Sequence, residues 1–211
     1  MRSLTLSLLL ACLAPAAWAQ ANCLDQVKFP AEGRWAEYHA TFKEKPYTIR
    51  YGVIGQEKRG GKTLQWVEMR MEGENKDRNM TYQVLVPGSL VDLAEIQEIV
   101  FKPGTRPAMK MSGQMVQMIR GELEKQSVYG EMCNGVSLVG KEKVTVPAGT
   151  IEALHYHSDE RASDSWLSPK VSFSLVKSAG KDYLIELVKE GEGAKSSITE
   201  KPQEMRGMGH P

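Results

Sequence analysis

The stretch that decides the fold reads RWAEYHATFKE and covers residues 34–44. Within it, small or aromatic residues alternate with mostly polar ones, so that one face carries Ala36, Tyr38, Ala40 and Phe42. A repeat of two residues is typical of a β-strand that buries one of its faces. We therefore predict a half-buried strand here, and β-structure is the starting hypothesis for the rest of the chain.

Similar patterns continue along the chain, separated by short turns such as Gly60-Gly61 and Pro87-Gly88. The further predicted strands cover residues 47–56, 63–72, 80–86, 136–146, 150–157, 163–167, 171–177, 182–190 and 194–199. Connections this short favour consecutive hairpins over parallel crossovers. The predicted fold class is mainly β: a curved antiparallel sheet or incomplete barrel of about ten strands with a helical lid.

The middle of the chain changes character. Residues 90–101 have the apolar spacing of a helix, yet residues 96–102 also fit a strand, and both interpretations stay open. Residues 112–125 are predicted to form a helix, which Ser112 would cap. One face of this helix would carry Met111, Met115, Met118 and Ile119.

The predicted sheet has few bulky side chains with which to fill its interior. The chain contains only 4 Trp, 4 Phe and 7 Tyr, so we expect a cavity or a covering helix. The Met-rich helix is the expected cover, because unbranched and polarizable Met side chains adapt to ligands of different shapes. Two interpretations stay open: the helix fills the core permanently, or it is a mobile lid over a ligand.

The first residues have the features of an export signal. Arg2 gives a positive start, an apolar run covers residues 4–17, and Ala17-Trp18-Ala19 matches a signal-peptidase site. The run is shorter than the about 20 apolar residues that span a membrane. We predict a signal peptide at residues 1–19 that is cleaved near Ala19, a single β-rich domain at residues 20–200 and a flexible tail at residues 201–211. The expected location is the periplasm, and lipidation at Cys12 is the alternative.

Two cysteines, Cys23 and Cys133, remain after the signal is removed. An even number in an oxidising compartment predicts one disulfide, and two buried thiols are the alternative. Without Arg2 the basic and acidic residues are equal in number, because the full chain has 27 and 26. Such a balance argues against a nucleic-acid partner or an attraction to anionic membranes. No stretch after the signal is long and apolar enough for an integral membrane protein.

One segment carries a resemblance. VTVPAGTI at residues 144–151, together with Trp166-Leu167-Ser168, Leu175-Val176-Lys177 and the turn at residues 191–193, resembles uncharacterised exported bacterial proteins with the fold of the periplasmic lipoprotein carriers (Lol-type). This resemblance implies an incomplete antiparallel barrel with a helical lid over an apolar cavity, which in the carriers holds acyl chains. The predicted Cys23–Cys133 bridge and the Met cluster depart from that family.

Two metal sites are alternatives. His155 and His157 lie two residues apart on a predicted strand and could bind zinc with a third ligand. The candidates for that ligand are His39, Asp159, Glu160 and Asp164. The thioethers of Met109, Met111, Met115 and Met118 are soft ligands that would suit Cu(I).

Catalytic motifs are weak. SxxK occurs at both residues 174–177 and residues 178–181 without a Lys-Thr-Gly element, and no GxSxG nucleophile elbow is present. We therefore expect a protein that is not an enzyme and needs no cofactor. The leading hypothesis is a periplasmic protein that buries a lipid, an acyl chain or another apolar small molecule in a β-sheet cavity. The predicted ligand contacts are Trp66, Met111, Met115, Met118 and Ile119. Two alternative functions stay open: a metal-handling protein, or an envelope scaffold with a filled core and a protein partner.

Overall fold

The computed structural model describes residues 22–88, 95–118 and 128–205. The predicted export signal, Cys12 and residues 206–211 of the predicted tail lie outside these ranges, as does the second half of the predicted Met-rich helix, residues 119–125, which includes Ile119. The predicted division into domains stays a prediction.

Strands dominate the described residues. They are β1 (Trp35–Phe42), β2 (Lys45–Arg59), β3 (Lys62–Gly73), β4 (Met80–Val86), β5 (Glu98–Pro103), β6 (Met109–Ser112), β7 (Ser137–Val146), β8 (Gly149–Ser158), β9 (Ser163–Leu167), β10 (Leu175–Gly180), β11 (Tyr183–Gly191) and β12 (Gln203–Glu204). Helix α1 covers Val128–Cys133, residues 114–118 are also helical, and short 3₁₀ turns occur at Cys23–Gln26 and Lys76–Arg78. The prediction of a mainly β protein is confirmed.

All twelve strands of the described chain belong to one sheet, in the order β12-β6-β5-β4-β3-β2-β1-β11-β10-β9-β8-β7. Strands β1 to β6 form one antiparallel meander and β7 to β11 form a second. The first and eleventh strands join the two meanders by pairing antiparallel at the centre, and β12 adds to β6 in parallel. The sheet is not closed into a barrel, because β12 and β7 are its edges.

One face of the sheet holds the main core. Val53 of β2, Ile99 of β5 and Tyr156 of β8 belong to one buried cluster, so the sheet bends around that cluster. We call this side the inner face and the opposite side the outer face. The alternation predicted for residues 34–44 is confirmed, since Ala36 and Tyr38 are fully buried on the inner face.

A disulfide joins Cys23 to Cys133, as predicted. It ties the 3₁₀ turn at the start of the described chain to the end of α1, across 110 residues of sequence. Closing a loop of this length removes conformational freedom from the unfolded chain and stabilises the fold by about 4 to 5 kcal/mol in the chain-entropy account.

The helical lid is where the structure departs most from the prediction. Met111 and Ser112 end strand β6, and the helical residues begin at 114. The reason is pairing, because Met111 lies opposite Ile99 of β5 and its backbone belongs to the sheet. The open choice for residues 96–102 is resolved as a strand over Glu98–Pro103.

Three smaller corrections concern the last third. Residues 194–199 do not form a strand, because Ser197 N and Ile198 N donate to the side chains of Glu68 and Ser196. The strand predicted from residue 171 begins only at Leu175, since Phe173 and Ser174 have φ angles of 62° and 57° and form a turn. Gln203 and Glu204, assigned to the tail from sequence, form β12.

Candidate functional site

The inner face of the sheet contains an open cavity of about 370 Å³. It lies between β1 to β3 of one meander and β9 to β11 of the other, at the seam where the meanders join. The apolar part of its lining consists of Phe42, Ile49, Met69, Met71, Met132 and Ile185. The part that carries hydroxyl groups or charge consists of Tyr51, Arg161, Ser163, Ser165, Ser178 and Tyr183.

Strand register produces the apolar wall. Ile49 pairs with Met71, and Tyr51 pairs with Met69, so alternate residues of β2 and β3 face the same space. Phe42 closes one end, with its ring centroid 5.7 Å from that of Tyr47. The wall therefore contains side chains that adapt to an apolar ligand, among which methionines are the most flexible.

The part of the lining that comes from β9, β10 and β11 carries a row of hydroxyl groups. Ser165 Oγ lies 3.2 Å from Ser178 Oγ, which lies 3.2 Å from the hydroxyl of Tyr183. Ser178 Oγ also donates to the carbonyl of Asp164 at 3.3 Å. Each hydroxyl donates one hydrogen bond and accepts two, so this row retains capacity for polar atoms of a ligand.

Arg161 adds a positive charge to the cavity. It lies in the turn between β8 and β9, and its Nη2 donates to the carbonyl of Asn134. Across the described ranges, the structure gives Arg161 no carboxylate partner. Since a guanidinium carries five N–H donors, most of its hydrogen-bonding capacity remains available.

Tyr51 places a phenol against the cavity. Its ring packs edge-on against Tyr38 at 6.0 Å and tilted against Phe173 at 5.6 Å. Burial raises the pKa of Tyr51 to about 12. The group is therefore neutral at physiological pH and serves as a hydrogen-bond donor or acceptor.

The residues predicted from sequence to contact the ligand lie elsewhere. Trp66 faces the outer side, where it packs against Val100, Ala108 and Ile198 and its indole N–H donates to Glu57 at 3.2 Å. Met111 packs against the main core, Met115 is half-buried and Met118 is 68% exposed. None of these four described residues lines the cavity, and Ile119 lies outside the described residues. Their proposed role as ligand contacts stays a prediction.

Sequence reasoning missed Met69, Met71 and the serines of β9 and β10. The signal that could have found Met69 and Met71 was the period of two in β3, which places them on the same face as Val67. The serines gave no such signal. Ser165 and Ser178 look like ordinary polar strand positions until register brings them together.

The histidines proposed for zinc lie on the outer face. His155 Nε2 and His157 Nδ1 lie 2.7 and 2.8 Å from the same oxygen of Asp164, and the ring of His155 stacks on Trp166 at 4.5 Å. Burial raises the pKa of Asp164, but the hydrogen bonds from both imidazoles outweigh it and lower that pKa overall. In the part of the chain that the structure describes, no group of three or more His, Cys, Asp or Glu residues could hold a metal ion.

The described residues contain no helix with the length and hydropathy needed to cross a membrane.

The chain is similar to several solved structures of other proteins. No family model and no curated protein matches the chain. Among solved structures, the chain is similar to a protein from Bacteroides fragilis described as exported with a YMCC-like fold, at 10% identity and a TM-score of 0.38, over 79% of this chain and 99% of that one. It is also similar to a protein from Parabacteroides distasonis described as a lipoprotein, at 10% identity and a TM-score of 0.36, over 78% and 99% of the two chains.

A third similar structure is a DUF1329 family protein from Desulfovibrio piger, with 10% identity and a TM-score of 0.31 over 84% of this chain and 90% of that one. These solved structures fit the expectation of an exported protein only in their descriptions, and at such TM-scores we draw no argument from them. The resemblance to the lipoprotein carriers is not confirmed by these comparisons.

Proposed function

We propose that this protein is an exported, non-catalytic binding protein whose inner-face cavity holds a single-chain amphiphile with an anionic head, such as a fatty acid. The observation that carries the proposal is that one cavity combines a wall rich in apolar side chains with a row of hydroxyl groups and with Arg161, for which the described residues provide no carboxylate partner. A ligand with an apolar chain and a carboxylate matches both walls.

The apolar wall would provide most of the affinity. Burying a methylene group contributes about 0.8 kcal/mol, so a chain that buries eight of them gains about 6 kcal/mol before the costs of association. Without those costs, 6 kcal/mol would correspond to a dissociation constant of about 40 μM, so contacts of the head group are needed to offset the costs of association. The cavity of about 370 Å³ is near the lower end of small-molecule sites, which favours a chain of medium length.

The polar wall would orient the head group. A carboxylate near Arg161 would accept charge-assisted hydrogen bonds, which are about twice as strong as neutral ones. Ser165, Ser178 and Tyr183 could contact the same head group through their remaining hydrogen-bonding capacity. A neutral alcohol of the same chain length would lose the charged interaction and keep the apolar one.

The disulfide supports an extracytoplasmic location. Cystines persist in the periplasm and outside the cell, whereas thiols are kept reduced in the cytosol. The Cys23–Cys133 bridge therefore agrees with export of the chain.

A scaffold that acts through its outer surface is a second candidate, because the inner face is already well filled. Tyr38, Tyr156 and Phe173 are fully buried there, and they occupy space that a larger ligand would need. The two functions differ in one observable, since a scaffold would not bind an amphiphile in a saturable way.

The proposal is tested by titrating the purified full-length chain with decanoic acid and with decanol, using native mass spectrometry and calorimetry. We expect Met71→Gln to weaken both ligands by about tenfold, because an amide is placed in the apolar wall. Met118→Gln is the matched control, since Met118 is exposed and lies outside the cavity. Arg161→Gln should weaken decanoic acid and leave decanol unchanged.

A failure to fold would not obscure the result. If Met71→Gln loses its circular dichroism signal, Ile185→Phe provides a second variant that fills the cavity without a polar group. Absence of saturable binding to the wild type, or equal affinities in all cavity variants, would exclude this function and favour the scaffold.

A further inference from the structure

A second cavity, of about 280 Å³, lies on the outer face over β2 and β3. Arg50 and Arg70 extend into its lining from the two strands, and Lys195 joins them from the irregular segment that crosses above. Glu68 is the acidic residue among its lining residues in the described chain. This site is independent of the inner-face cavity, because residues on alternate positions of the same strands form it.

The two arginines are direct cross-strand neighbours. Arg50 is the register partner of Arg70 in the pairing of β2 with β3, and both residues point to the outer face. Like charges directly opposite each other destabilise a sheet. A bound anion between the two side chains would remove that repulsion.

Neighbouring carboxylates do not satisfy these guanidinium groups. Arg70 Nε lies 3.8 Å from Glu68, Arg70 Nη1 lies 3.7 Å from Glu72, and Arg50 Nη1 lies 4.0 Å from Glu37. Each distance exceeds the 3.2 Å or so that a good N–H···O hydrogen bond allows. Within the described ranges neither guanidinium donates a hydrogen bond, and both side chains line the cavity, so their N–H donors remain available to a ligand.

The carboxylate of Glu68 accepts hydrogen bonds from two other parts of the chain. Its Oε2 accepts hydrogen bonds from Gln83 Nε2 at 2.8 Å and from Ser197 N at 2.9 Å. These bonds hold the crossing segment against the sheet and thereby fix the wall that carries Lys195. Among the residues that line the cavity, Arg50, Arg70 and Lys195 face this one carboxylate, while Glu37 and Glu72 lie beside the arginines but outside the lining.

The shape of the site is also prepared in advance. The guanidinium of Arg50 stacks on the ring of Trp35, with Cζ 4.0 Å from the ring centroid, so its plane is already oriented. Gly52 forms part of the cavity wall, and a Cβ there would lie 3.1 Å from Ala194 Cβ. A side chain at position 52 would therefore push against the crossing segment and narrow the space.

We propose that this outer cavity binds a phosphate group. Two guanidinium forks that face one space match the geometry of a tetrahedral oxyanion, and Lys195 adds a third charge. The phosphate belongs either to free inorganic phosphate or to the head group of a phospholipid, and these sources share the same chemistry at the site.

The first arm of the test is calorimetric titration of the full-length chain with inorganic phosphate in a phosphate-free buffer of low ionic strength. We expect saturable binding that Arg50→Gln and Arg70→Gln each weaken by at least about tenfold. Arg106→Gln is the matched control, because Arg106 is exposed and lies outside the cavity. If either arginine variant fails to fold, Lys195→Gln replaces it, since Lys195 is exposed.

The second arm is co-sedimentation with phosphatidylcholine vesicles that either contain or lack phosphatidylglycerol. Binding to the anionic vesicles that Arg70→Gln abolishes identifies a lipid head group, and phosphate binding without co-sedimentation identifies the free ion. Absence of saturable binding in both arms overturns the proposal. Binding that survives Arg50→Gln, Arg70→Gln and Lys195→Gln also overturns it.

Discussion

Glu98 at the start of β5 forms an ion pair with Lys110 of β6, with Nζ 2.9 Å from Oε2. The other carboxylate oxygen lies 2.7 Å from Arg59 Nη1 of β2. Only 7% of Glu98 is exposed, so one buried acid connects a long central strand to the short strands at the edge of the sheet. These two ion pairs stabilise the part of the sheet around β5 and β6, to which β12 is added.

Glu98 should make stability depend on pH. Burial raises its pKa, but the bonds from Arg59 and Lys110 outweigh this and keep the pKa below its ordinary 4.5. Because the folded pKa is below the unfolded one, the contribution is complete above pH 4.5 and is lost as the pH falls through the folded pKa. Urea unfolding at a series of pH values should show this acid loss in the wild type and a weaker one in Glu98→Gln.

At neutral pH, Glu98→Gln should lower the free energy of unfolding by about 1 to 3 kcal/mol, because two cations lose a buried partner. Glu204→Gln is the control, since Glu204 is 62% exposed at its side chain and lies 3.7 Å from Lys110. We expect a change of less than about 0.5 kcal/mol for that surface position. Equal effects of the two substitutions would contradict the role given to Glu98.

Tyr51 predicts an opposite dependence at high pH. Its pKa rises from 10.0 to about 12 on folding, so the contribution is complete below pH 10 and is lost as the pH rises towards 12. The loss from this group amounts to at most about 3 kcal/mol. Tyr51→Phe should therefore flatten the alkaline decrease in stability relative to the wild type, as measured by urea unfolding, whereas Tyr82→Phe at an exposed position should leave it unchanged.

Removal of the disulfide should cost much of the stability. Replacing Cys23 and Cys133 by alanine is expected to lower the free energy of unfolding by about 2 to 5 kcal/mol, because the unfolded chain regains the freedom of a long loop. Urea titrations of the double variant, and of the wild type with and without a reductant, measure the effect. A wild type whose midpoint is unchanged by the reductant would contradict it.

Among the glycines that the structure describes, Gly104 is predicted to tolerate alanine least. Its φ is +56°, and a Cβ there would lie 2.6 Å from the carbonyl oxygen of Asp77. This oxygen belongs to the backbone, so a side-chain rotation cannot relieve the clash. Gly104→Ala should destabilise the fold by about 2 to 4 kcal/mol. Gly55→Ala is the matched control, because nothing lies within 4 Å of its added Cβ, and thermal unfolding of both variants tests the difference.

The sequence predicted the features that depend on local order. The period of two in residues 34–44 identified β1 and its buried face, and residues 80–86 matched β4 in both bounds. The cysteine count predicted the bridge, because two thiols in an oxidising compartment have only one partner each. These inferences need no knowledge of which strands are neighbours.

The cavity could not be predicted in this way. Its lining is assembled by register, as when Met69 comes opposite Tyr51 across a pair of strands that contains a bulge near Val53. Met111 was predicted on a helix face because a short apolar stretch fits the period of a helix as well as that of a strand. Its pairing with Ile99 places it in a strand instead. Trp66, predicted as a ligand contact, packs against Val100, Ala108 and Ile198, and the alternation of its own strand could not show which neighbours it meets.

The pairing of β1 with β11 has a consequence for how the protein matures. Trp35 lies beside Gly191, so the two meanders can join at the centre of the sheet only after β11 has been synthesised. Contacts between residues that are far apart in sequence form slowly, because the chain must lose the entropy of closing a long loop before these contacts stabilise it. Until then the early meander has an unprotected hydrogen-bonding edge at β1, and a chaperone that shields this edge would raise the yield of folded protein.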